Sequence, residues 1–365
     1  MMRLDGNSLR AFYANALISS GVPPEYARTT ADGIYYADLN GLDSHGAAGF
    51  LRIYLPMHES AQLEANAAPE ITVDQAACAT VDARGGFGFV AGTFAMSEAI
   101  RRAGMYGIGA VGVHNSTHAG AMGFYTHQAV YSGMLAMAFT NLGSQGLLPP
   151  PGGRVPLLGT NALAVSAPAQ SEATFCLDMS TTVVSAGRVR LAARRGQVVP
   201  EGWLVGAQGE HVRDPEQLDE GHAQLRFLGG AVETGAHKGL GLAMLADILC
   251  GLLTGADVGP TPDKLCISRA AASRNRPNIG HFFIAIRINA FRGEAQFGRE
   301  LDAMLRTIRK CPPVSPDTQV TYPGMPESSM ALARARDGIP LEPALYDQMQ
   351  TIAARLGVAP PVTLC

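Results

Sequence analysis

Short apolar runs alternate with segments of helical periodicity along most of this chain, and this alternation limits its fold more than any other feature. Residues 77–107, ACATVDARGGFGFVAGTFAMSEAIRRAGMYG, predict a strand, a glycine turn and an amphipathic helix, and the IGAVGVH that follows predicts another strand. A helix near 120–132 and strands near 134–140, 162–167 and 174–178 continue the pattern. The alternation predicts an α/β or α+β architecture.

The remaining segments add helices towards both ends of the chain. Apolar spacing of three and four predicts helices over 8–20, 24–38, 294–310 and 341–356. A helix is expected to begin near Thr182 with Ser180 or Thr181 as its cap, and another is expected over 238–253. We expect RAAASRNRPNIG to be a loop before the strand HFFIAIRI, and the proline-rich CPPVSPDTQVTYPGMPES to be extended.

Composition excludes several classes of partner. With 365 residues, 47% hydrophobic and 16% charged, the chain can build two or three structural units with a sizeable core. The formal charge of -3, from 28 basic and 31 acidic residues without a block of like charge, gives no attraction to nucleic acid or to an anionic membrane. We therefore expect a small molecule as the partner.

The chain carries no predicted targeting or membrane segment. Its first 25 residues lack the apolar core of a signal peptide, and no apolar run approaches the roughly 18 to 20 residues of a membrane span. The cysteines contain no CxxC pair, which favours reduced thiols over disulfides or a zinc site; they are Cys78, Cys176, Cys250, Cys266, Cys311 and Cys365. These features predict a cytoplasmic protein.

One stretch imitates a dinucleotide-binding fingerprint. Gly86, Gly88 and Ala91 satisfy GxGxxA after the strand-like ATVDA and open a helix. The acidic residue that should bind the ribose about 20 residues later is missing, since 101–115 contains no Asp or Glu. We therefore interpret these glycines as a tight packing turn between strand and helix.

Segments rich in glycine and polar residues interrupt the apolar elements. This composition is typical of loops that hold binding groups on a rigid scaffold. They are LDSHGAAGF, HNSTHAGAMGFY, GGRVPLLGTNALAV and LDMSTTVVSAGRV. A further segment, ETGAHKGLGLAML, places Lys238 at a helix start, where backbone N–H groups can help to hold an anion.

Together these segments resemble the malate/L-lactate dehydrogenase family of NAD(P)-dependent oxidoreductases, a non-Rossmann group. The family's DSHG corresponds to residues 43–46, its NHFGAAGYY-like loop to THAGAMGFY, and its GGxxPLLGTN to 152–161. The family's LDM and GHFFIAI are present unchanged. Its IPEGW is here VPEGW, and its GxKGxGL is here AHKGLGL. Each match is weak alone, but their common order along most of the chain is specific.

The resemblance implies a fold and an assembly. It implies a mixed, largely antiparallel sheet that carries the cofactor, as residues 76–293. It also implies a helical substrate and dimerisation unit built from both chain ends, as residues 1–75 and 294–365. Family members are usually homodimers with the active site at the subunit contact, so we expect a homodimer.

The resemblance makes His45 the acid/base, assisted by Ser44 and by Asp178. Hydride addition to a C=O or C=N carbon leaves an atom that must take a proton, and histidine exchanges protons near neutral pH. A carboxylate beside the ring would favour the imidazolium. The alternative is a loop histidine that only bonds a backbone carbonyl.

His118 is the second catalytic candidate, because the matching family loop lies at the nicotinamide and the substrate. His114 precedes it by four residues, but the pair does not share a helix and no carboxylate cluster follows, which disfavours a metal site. We therefore expect no metal.

The resemblance also assigns the cofactor contacts. Thr160 and Asn161 would line the nicotinamide end, and Thr160 would also face the substrate. The remaining residues implied to contact NAD or NADP are His118, Gly120, Asp178, Met179, Ser180, Lys238 and Gly239, with Asn141 and Gly143 as weaker candidates. Arg188, Arg190, Arg194 and Arg195 could supply the positive charge that NADP requires, or they could form an ordinary solvated helix face.

This chain departs from the family where substrate is bound. Members usually carry an arginine four residues after the DSHG histidine, and here that position is Gly49. Arg52 lies one helical turn further on, so it could hold the substrate carboxylate and leave space over Gly49 for a bulkier substrate. Alternatively, Arg52 points to solvent.

The expected function is hydride transfer between NAD(P) and a small 2-oxo or 2-hydroxy acid, or a cyclic ketimine carboxylate. The alternative is a nicotinamide-binding sensor or partner protein whose catalysis has decayed. Retention of Ser44, His45 and Asp178 together argues against the alternative.

Overall fold

A computed structural model describes residues 2–265 and 276–364 of the protein. Its main sheet has the strand order β2-β3-β4-β11-β5-β6-β7. These strands are β2 (Glu70–Gln75), β3 (Cys78–Asp82), β4 (Ile108–Ser116), β5 (Met134–Thr140), β6 (Leu163–Ala167), β7 (Phe175–Met179) and β11 (Ile279–Arg287).

Two small sheets accompany it, with the orders β12-β1-β13 and β10-β8-β9. The first joins the two ends of the described chain, since its strands are β1 (Met2–Leu4), β12 (Ile339–Leu341) and β13 (Thr363–Leu364). The second consists of β8 (Leu204–Gly206), β9 (His211–Val212) and β10 (Ala223–Leu225).

Helices cover both ends of the chain and both faces of the main sheet. The first group is α1 (Gly6–Ser19), α2 (Pro24–Leu39), α3 (Ala47–Gly49), a π-helical turn (Phe50–Tyr54), α4 (Leu55–Glu59), α5 (Gly88–Tyr106) and α6 (Gly123–Tyr131). The second is α7 (Ala186–Arg194), α8 (Glu216–Asp219), α9 (Ala236–Asp247), a π-helical turn (Ile248–Leu252), α10 (Glu294–Arg309), α11 (Met325–Asp337) and α12 (Pro343–Leu356). Short 3₁₀ turns occupy Pro262–Leu265 and Ile288–Ala290.

The main sheet is mixed and mostly antiparallel, which confirms the predicted fold class. β3 and β4 are parallel and are joined by α5, whereas the other neighbouring strands of this sheet run antiparallel. A crossover helix is the usual way to bring two parallel strands side by side. No helix among the described residues is long and apolar enough to cross a membrane.

Apolar side chains form separate buried clusters. One joins α1, α2, the π-helical turn and α12 around Phe12, Tyr13 and Phe50. A second lies between the main sheet and α5 and α6, around Met96, Tyr125 and Phe283. Helix α10 packs Leu301 and Leu305 against the sheet residue Ala167. The division at 75/76 and 293/294 stays a prediction.

The glycine turn before α5 has a packing role. A Cβ on Gly88 would lie 2.3 Å from the Thr117 carbonyl oxygen, and the Gly88 N–H donates to Thr117 Oγ1 at 3.0 Å. The backbone that leads to His118 therefore lies directly on this turn. The geometry fits the interpretation of these glycines as a packing turn.

Some elements differ from the predictions. The helix expected near Thr182 begins at Ala186, because Ser180, Thr181 and Thr182 satisfy their hydroxyl groups locally instead of capping a helix. Helix α11 was not predicted, and it begins inside the proline-rich stretch expected to be extended. Most of the predicted loop RAAASRNRPNIG lies outside the described residues.

Candidate active site

Ser44 and His45 lie in the short loop between α2 and α3. The buried Asp38 carboxylate at the end of α2 accepts hydrogen bonds from the Ala47 N–H at 2.9 Å and from the Tyr13 hydroxyl at 2.7 Å. Burial raises the pKa of Asp38 to about 7. This carboxylate thereby ties the backbone that follows His45 to the core of the helical cluster.

Helix α11 holds the same loop from the other side. The Arg334 guanidinium donates to Asp43 Oδ1 at 2.8 Å and to the Asp38 carbonyl oxygen. The Arg334 side chain is largely buried and its bond to the Asp38 carbonyl oxygen is shielded from water, whereas Asp43 is mostly exposed. The helix that sequence analysis missed therefore fixes the conformation of the DSHG segment.

His45 is hydrogen-bonded to its neighbour. Its Nδ1 lies 2.7 Å from Ser44 Oγ, and its ring stacks against that of His118 with 5.7 Å between the centroids and 24° between the planes. Burial lowers the pKa of His45 to about 4. His45 is therefore neutral at neutral pH, whereas the sequence predicted a charged ring beside a carboxylate.

The His118 ring is held by the loop that follows it and by Tyr54. His118 Nδ1 accepts a hydrogen bond from the Gly120 N–H at 3.2 Å and lies 3.2 Å from the Tyr54 hydroxyl. Burial, with smaller effects of His45 and His281, lowers the pKa of His118 to about 3. Because Nδ1 is an acceptor, the neutral ring carries its proton on Nε2.

Tyr54 is a site residue that sequence analysis missed. It is the last residue of the π-helical turn Phe50–Tyr54. Such turns often occur at functional sites, and no periodicity in the sequence predicts them. A Cβ on Gly49 would lie 3.0 Å from the Tyr54 ring and 3.3 Å from the Ser44 carbonyl oxygen. The expected free space over Gly49 is therefore wrong, because the Tyr54 ring occupies it.

Arg52 is exposed on the same turn and lies beside the arginines of α7. Its pKa is lowered by burial and then by Arg190, with Asp219 and Arg194 also close enough to act on it. Arg190 pairs with Asp219 at 2.7 Å, and Arg194 pairs with Glu342 at 3.1 Å. Within 2–265 and 276–364, no hydrogen bond or ion pair occupies the Arg52 guanidinium.

Helix α7 begins directly at the catalytic loop. Ser185 caps it by accepting from the Arg188 N–H at 3.3 Å. A Cβ on Gly187 would lie 2.4 Å from Ser44 Cβ, so only glycine allows this approach. The helix start predicted near Thr182 is thus displaced to Ala186, beside Ser44.

Asp178 lies at the end of β7, and its carboxylate bonds the backbone at the start of α6. Its Oδ2 accepts from the Gly123 N–H at 2.8 Å, and burial raises its pKa to about 6, with the nearby Glu327 adding to the rise. It does not contribute to the pKa shift of His45. Asp178 anchors the start of α6, after the His118 loop. Its assistance to His45 stays a prediction.

The predicted cofactor residues just before β6 and at the end of β7 lie close together. The Thr160 carbonyl oxygen accepts from both the N–H and the hydroxyl of Thr181, each at 2.9 Å. Asn161 is buried with a left-handed φ of 38°, and its Nδ2 donates to the Ala243 carbonyl oxygen at 2.8 Å. Such strained residues cluster at functional sites. Met179 packs into the apolar cluster around Cys250, and Ser180 bonds Thr182 at 2.6 Å.

Lys238 and Gly239 lie in the first turn of α9. Lys238 is exposed, with its side chain over Gly235, and Gly239 packs closely on the Leu228 backbone. A cavity of about 440 Å³ lies beside this helix start; its walls are Pro149–Arg154, Val205–Gly209, His211, Gln224–Phe227, Gly230–Glu233 and Ala236. His45 and His118 are not among these walls.

Asn141 serves the fold, although it was a weak cofactor candidate. Its Nδ2 donates to Asp247 Oδ1 at 2.9 Å and to the Asp257 carbonyl oxygen at 2.8 Å. Its Oδ1 accepts from the N–H groups of Gly143 and Gly280. The described residues contain no group of three or more His, Cys, Asp or Glu that could hold a metal ion.

The chain is similar to known proteins over nearly its whole length. The family model for malate/L-lactate dehydrogenase matches residues 4–350. The malate dehydrogenase of Pyrococcus abyssi is 32% identical over 357 residues, which are 98% of this chain and 96% of that protein. The L-sulfolactate dehydrogenase of Methanocaldococcus jannaschii is 32% identical over 93% of this chain and 92% of its own length.

Solved structures extend the similarity to the fold. Malate dehydrogenase from Entamoeba histolytica superimposes with a TM-score of 0.92 at 28% identity, covering 98% of each chain. The delta1-piperideine-2-carboxylate reductase of Pseudomonas syringae gives a TM-score of 0.80 at 27% identity, covering 97% of this chain and all of that one. The relatives are dehydrogenases and reductases, and this chain belongs to the malate/L-lactate dehydrogenase family of oxidoreductases.

Proposed function

We propose that this oxidoreductase transfers hydride between a nicotinamide dinucleotide, NAD or NADP, and a small 2-oxo or 2-hydroxy acid or a cyclic ketimine carboxylate. The observation that carries the proposal is the stacked pair of neutral imidazoles, His45 and His118, with their Nδ1 atoms engaged by Ser44 and by Gly120. Each ring then offers Nε2 to a substrate.

His45 acts as the acid/base in this proposal. With its Nδ1 proton donated to Ser44 Oγ, the neutral ring presents the Nε2 lone pair, which accepts the hydroxyl proton of a hydroxy acid. In the reverse direction the protonated ring returns that proton. The negative charge of a bound substrate favours protonation of His45, whereas among the described residues no carboxylate shifts its pKa.

His118 plays the complementary role. Its Nδ1 accepts from the Gly120 N–H, so its Nε2–H is a donor. A low pKa keeps the ring neutral, and a neutral donor can polarise a substrate oxygen without competing with His45 for the proton. Tyr54 supports the ring, and Asp178 anchors the end of the loop through the Gly123 N–H.

The residues present fit a nicotinamide dinucleotide. Asn161 Oδ1 is buried without a hydrogen-bond partner among the described residues, and an amide-bearing ring can donate to it. Thr160, Met179, Ser180, Lys238 and Gly239 would hold the rest of the cofactor, with the exposed Lys238 ammonium suited to phosphate. When bound, a reduced nicotinamide supplies the hydride.

We propose Arg52 as the group that binds the substrate carboxylate, with Thr160 also at the substrate side. The support is a guanidinium on the helix that leaves the His45 loop, exposed and beside Arg190 and Arg194. Positive neighbours make a bound carboxylate more favourable at this position.

We further propose a cytoplasmic homodimer. Cys78, Cys176, Cys250 and Cys311 are free thiols, which suits a reducing compartment. A second copy is supported by an apolar stripe at the end of α9, where Leu245, Ile248 and Leu252 are 41%, 48% and 68% exposed. Neither proposal depends on the identity of the substrate.

A substrate panel with NADH and NADPH tests the function directly. Pyruvate, oxaloacetate, larger 2-oxo acids and five- and six-membered cyclic imine carboxylates should be screened by absorbance at the nicotinamide band. We expect turnover of at least one class. Cofactor binding in a fluorescence titration without turnover of any of them would instead restore the sensor interpretation, which the named relatives do not support.

A further inference from the structure

A third histidine lies beneath the pair, in the GHFFIAI motif. His281 interrupts the otherwise apolar part of β11 and is fully buried, next to strand residues such as Phe283. Burying an imidazole is costly unless both of its nitrogens find partners. The proposed reaction gives this residue no role, so its two partners indicate what it does.

The imidazole bridges the two strands that flank β11. His281 Nδ1 lies 2.8 Å from Thr140 Oγ1, and Nε2 lies 2.9 Å from Ser116 Oγ. Thr140 is the last residue of β5, and Ser116 is the last residue of β4. One side chain therefore links the ends of three adjacent strands.

The backbone ladder is irregular where this bridge occurs. The register between β11 and β4 shifts between Ile279 and His281, and Asn115 has a left-handed φ of 53°. Immediately beyond, the chain leaves the sheet through Ser116 and Thr117 and reaches His118. The side-chain bridge therefore supports the backbone at the point where regular pairing ends.

The bridge also lies within electrostatic reach of the site. Burial lowers the pKa of His281 to about 4. His281 in turn contributes to lowering the pKa of its neighbour His118. The His281 ring is therefore neutral at neutral pH, with one nitrogen as a donor to one hydroxyl group and the other as an acceptor. A charged residue in its place would disturb His118 directly.

We propose that His281 is a positioning residue, which ties the ends of β4 and β5 together beneath His118 and so sets the position of the His118 ring. The expected effect on kcat rests on the proposed function. Its structural content, that His281 acts through Ser116 on His118, is independent of any substrate.

A double-mutant cycle separates this role from a general loss of stability. His281→Phe keeps an aromatic ring but removes both hydrogen bonds, and we expect it to lower kcat about tenfold in the wild-type background. In a His118→Asn background the same change should alter kcat less than about twofold, since its target is gone. His281→Gln should recover part of the loss.

Imidazole NMR gives a readout that needs no substrate. In His281→Phe, and in the milder Ser116→Ala, the His118 ring resonances should shift while those of the distant exposed His211 stay in place. Equal kcat losses in both backgrounds, or unmoved His118 resonances in folded variants, would overturn the proposal. If the wild type turned over no substrate, the proposed function would fail while the NMR comparison still decided the positioning role.

Discussion

At the scale of single residues, burial outweighs every nearby charge in setting the state of the candidate catalytic histidines. The sequence predicted an imidazolium stabilised by Asp178, but that carboxylate bonds Gly123 and burial alone depresses the pKa of His45. The types of these residues could be predicted from the motifs. Their orientation could not, because it depends on which backbone N–H each carboxylate meets in the folded chain.

Arg52 gives the residue-scale prediction. Arg52→Ala should raise KM for the best carboxylate substrate on the order of tenfold or more, the effect of one lost charge-assisted contact, with kcat less affected. Steady-state kinetics on the substrate found by the panel checks this.

Arg292→Ala is the matched control, because Arg292 is a surface arginine paired with Glu300 at 2.8 Å. It should leave KM unchanged. Identical kinetics for Arg52→Ala and this control would show that the carboxylate is bound elsewhere. The sequence also predicted space over Gly49 for a bulkier substrate. The structure does not support that preference, because Tyr54 fills this space.

At the scale of elements, the site is held by pieces that periodicity does not reveal. The π-helical turn after α3 brings Tyr54 to His118, and α11 brings Arg334 to the DSHG loop. Regular strands and amphipathic helices were predicted well because repeated apolar spacing encodes them, as in β5 at 134–140. The π-helical turn and α11, which begins inside a proline-rich stretch, do not produce such a repeat in the sequence.

Asp38 provides a prediction at this scale. Its pKa is about 7 in the folded protein against an ordinary value of 3.8, so the folded state retains a proton that the unfolded state loses between these values. The contribution of Asp38 to the free energy of unfolding therefore falls as pH rises from about 4 to 7. Tyr13, Asp43 and Arg334 face the same carboxyl group.

Asp38→Asn removes this titration while keeping a side chain of the same shape. Its Tm relative to wild type should rise between pH 5 and pH 8, corresponding to at most about 3 kcal/mol in the free energy of unfolding, since only the two pH units from 5 to 7 contribute. Thermal melts across this range measure it. The control is Asp32→Asn, at a surface carboxylate paired with Arg10; a Tm difference for Asp38→Asn as flat as the control's would contradict the assignment.

At the scale of the whole molecule, the family and the fold class could be predicted from ordered motifs, whereas the assembly could not be read from composition. The apolar stripe on α9 and its π-helical extension is visible only once the helix is placed, because buried and exposed leucines look alike in sequence. Its members Leu245, Ile248 and Leu252 remain exposed in the single chain.

The homodimer prediction follows from this stripe. Wild-type protein should sediment at twice the monomer mass, and Ile248→Glu should shift it to the monomer, because a charge cannot be buried there without a partner. Leu332→Glu, at a site 76% exposed on α11, should leave the dimer intact. A monomeric wild type, or a dimer insensitive to Ile248→Glu, would contradict the proposed interface.

The acid/base role of His45 is tested most directly by the turnover of His45→Ala on the best substrate of the panel. Loss of a general acid/base predicts a kcat lower by roughly 10² to 10⁴-fold, with cofactor affinity close to that of wild type. His222→Ala, at an exposed histidine outside the cavity beside the start of α9, should retain full activity. A His45→Ala enzyme that keeps wild-type kcat and an unaltered pH profile would contradict the assignment of His45 as the proton-transfer group.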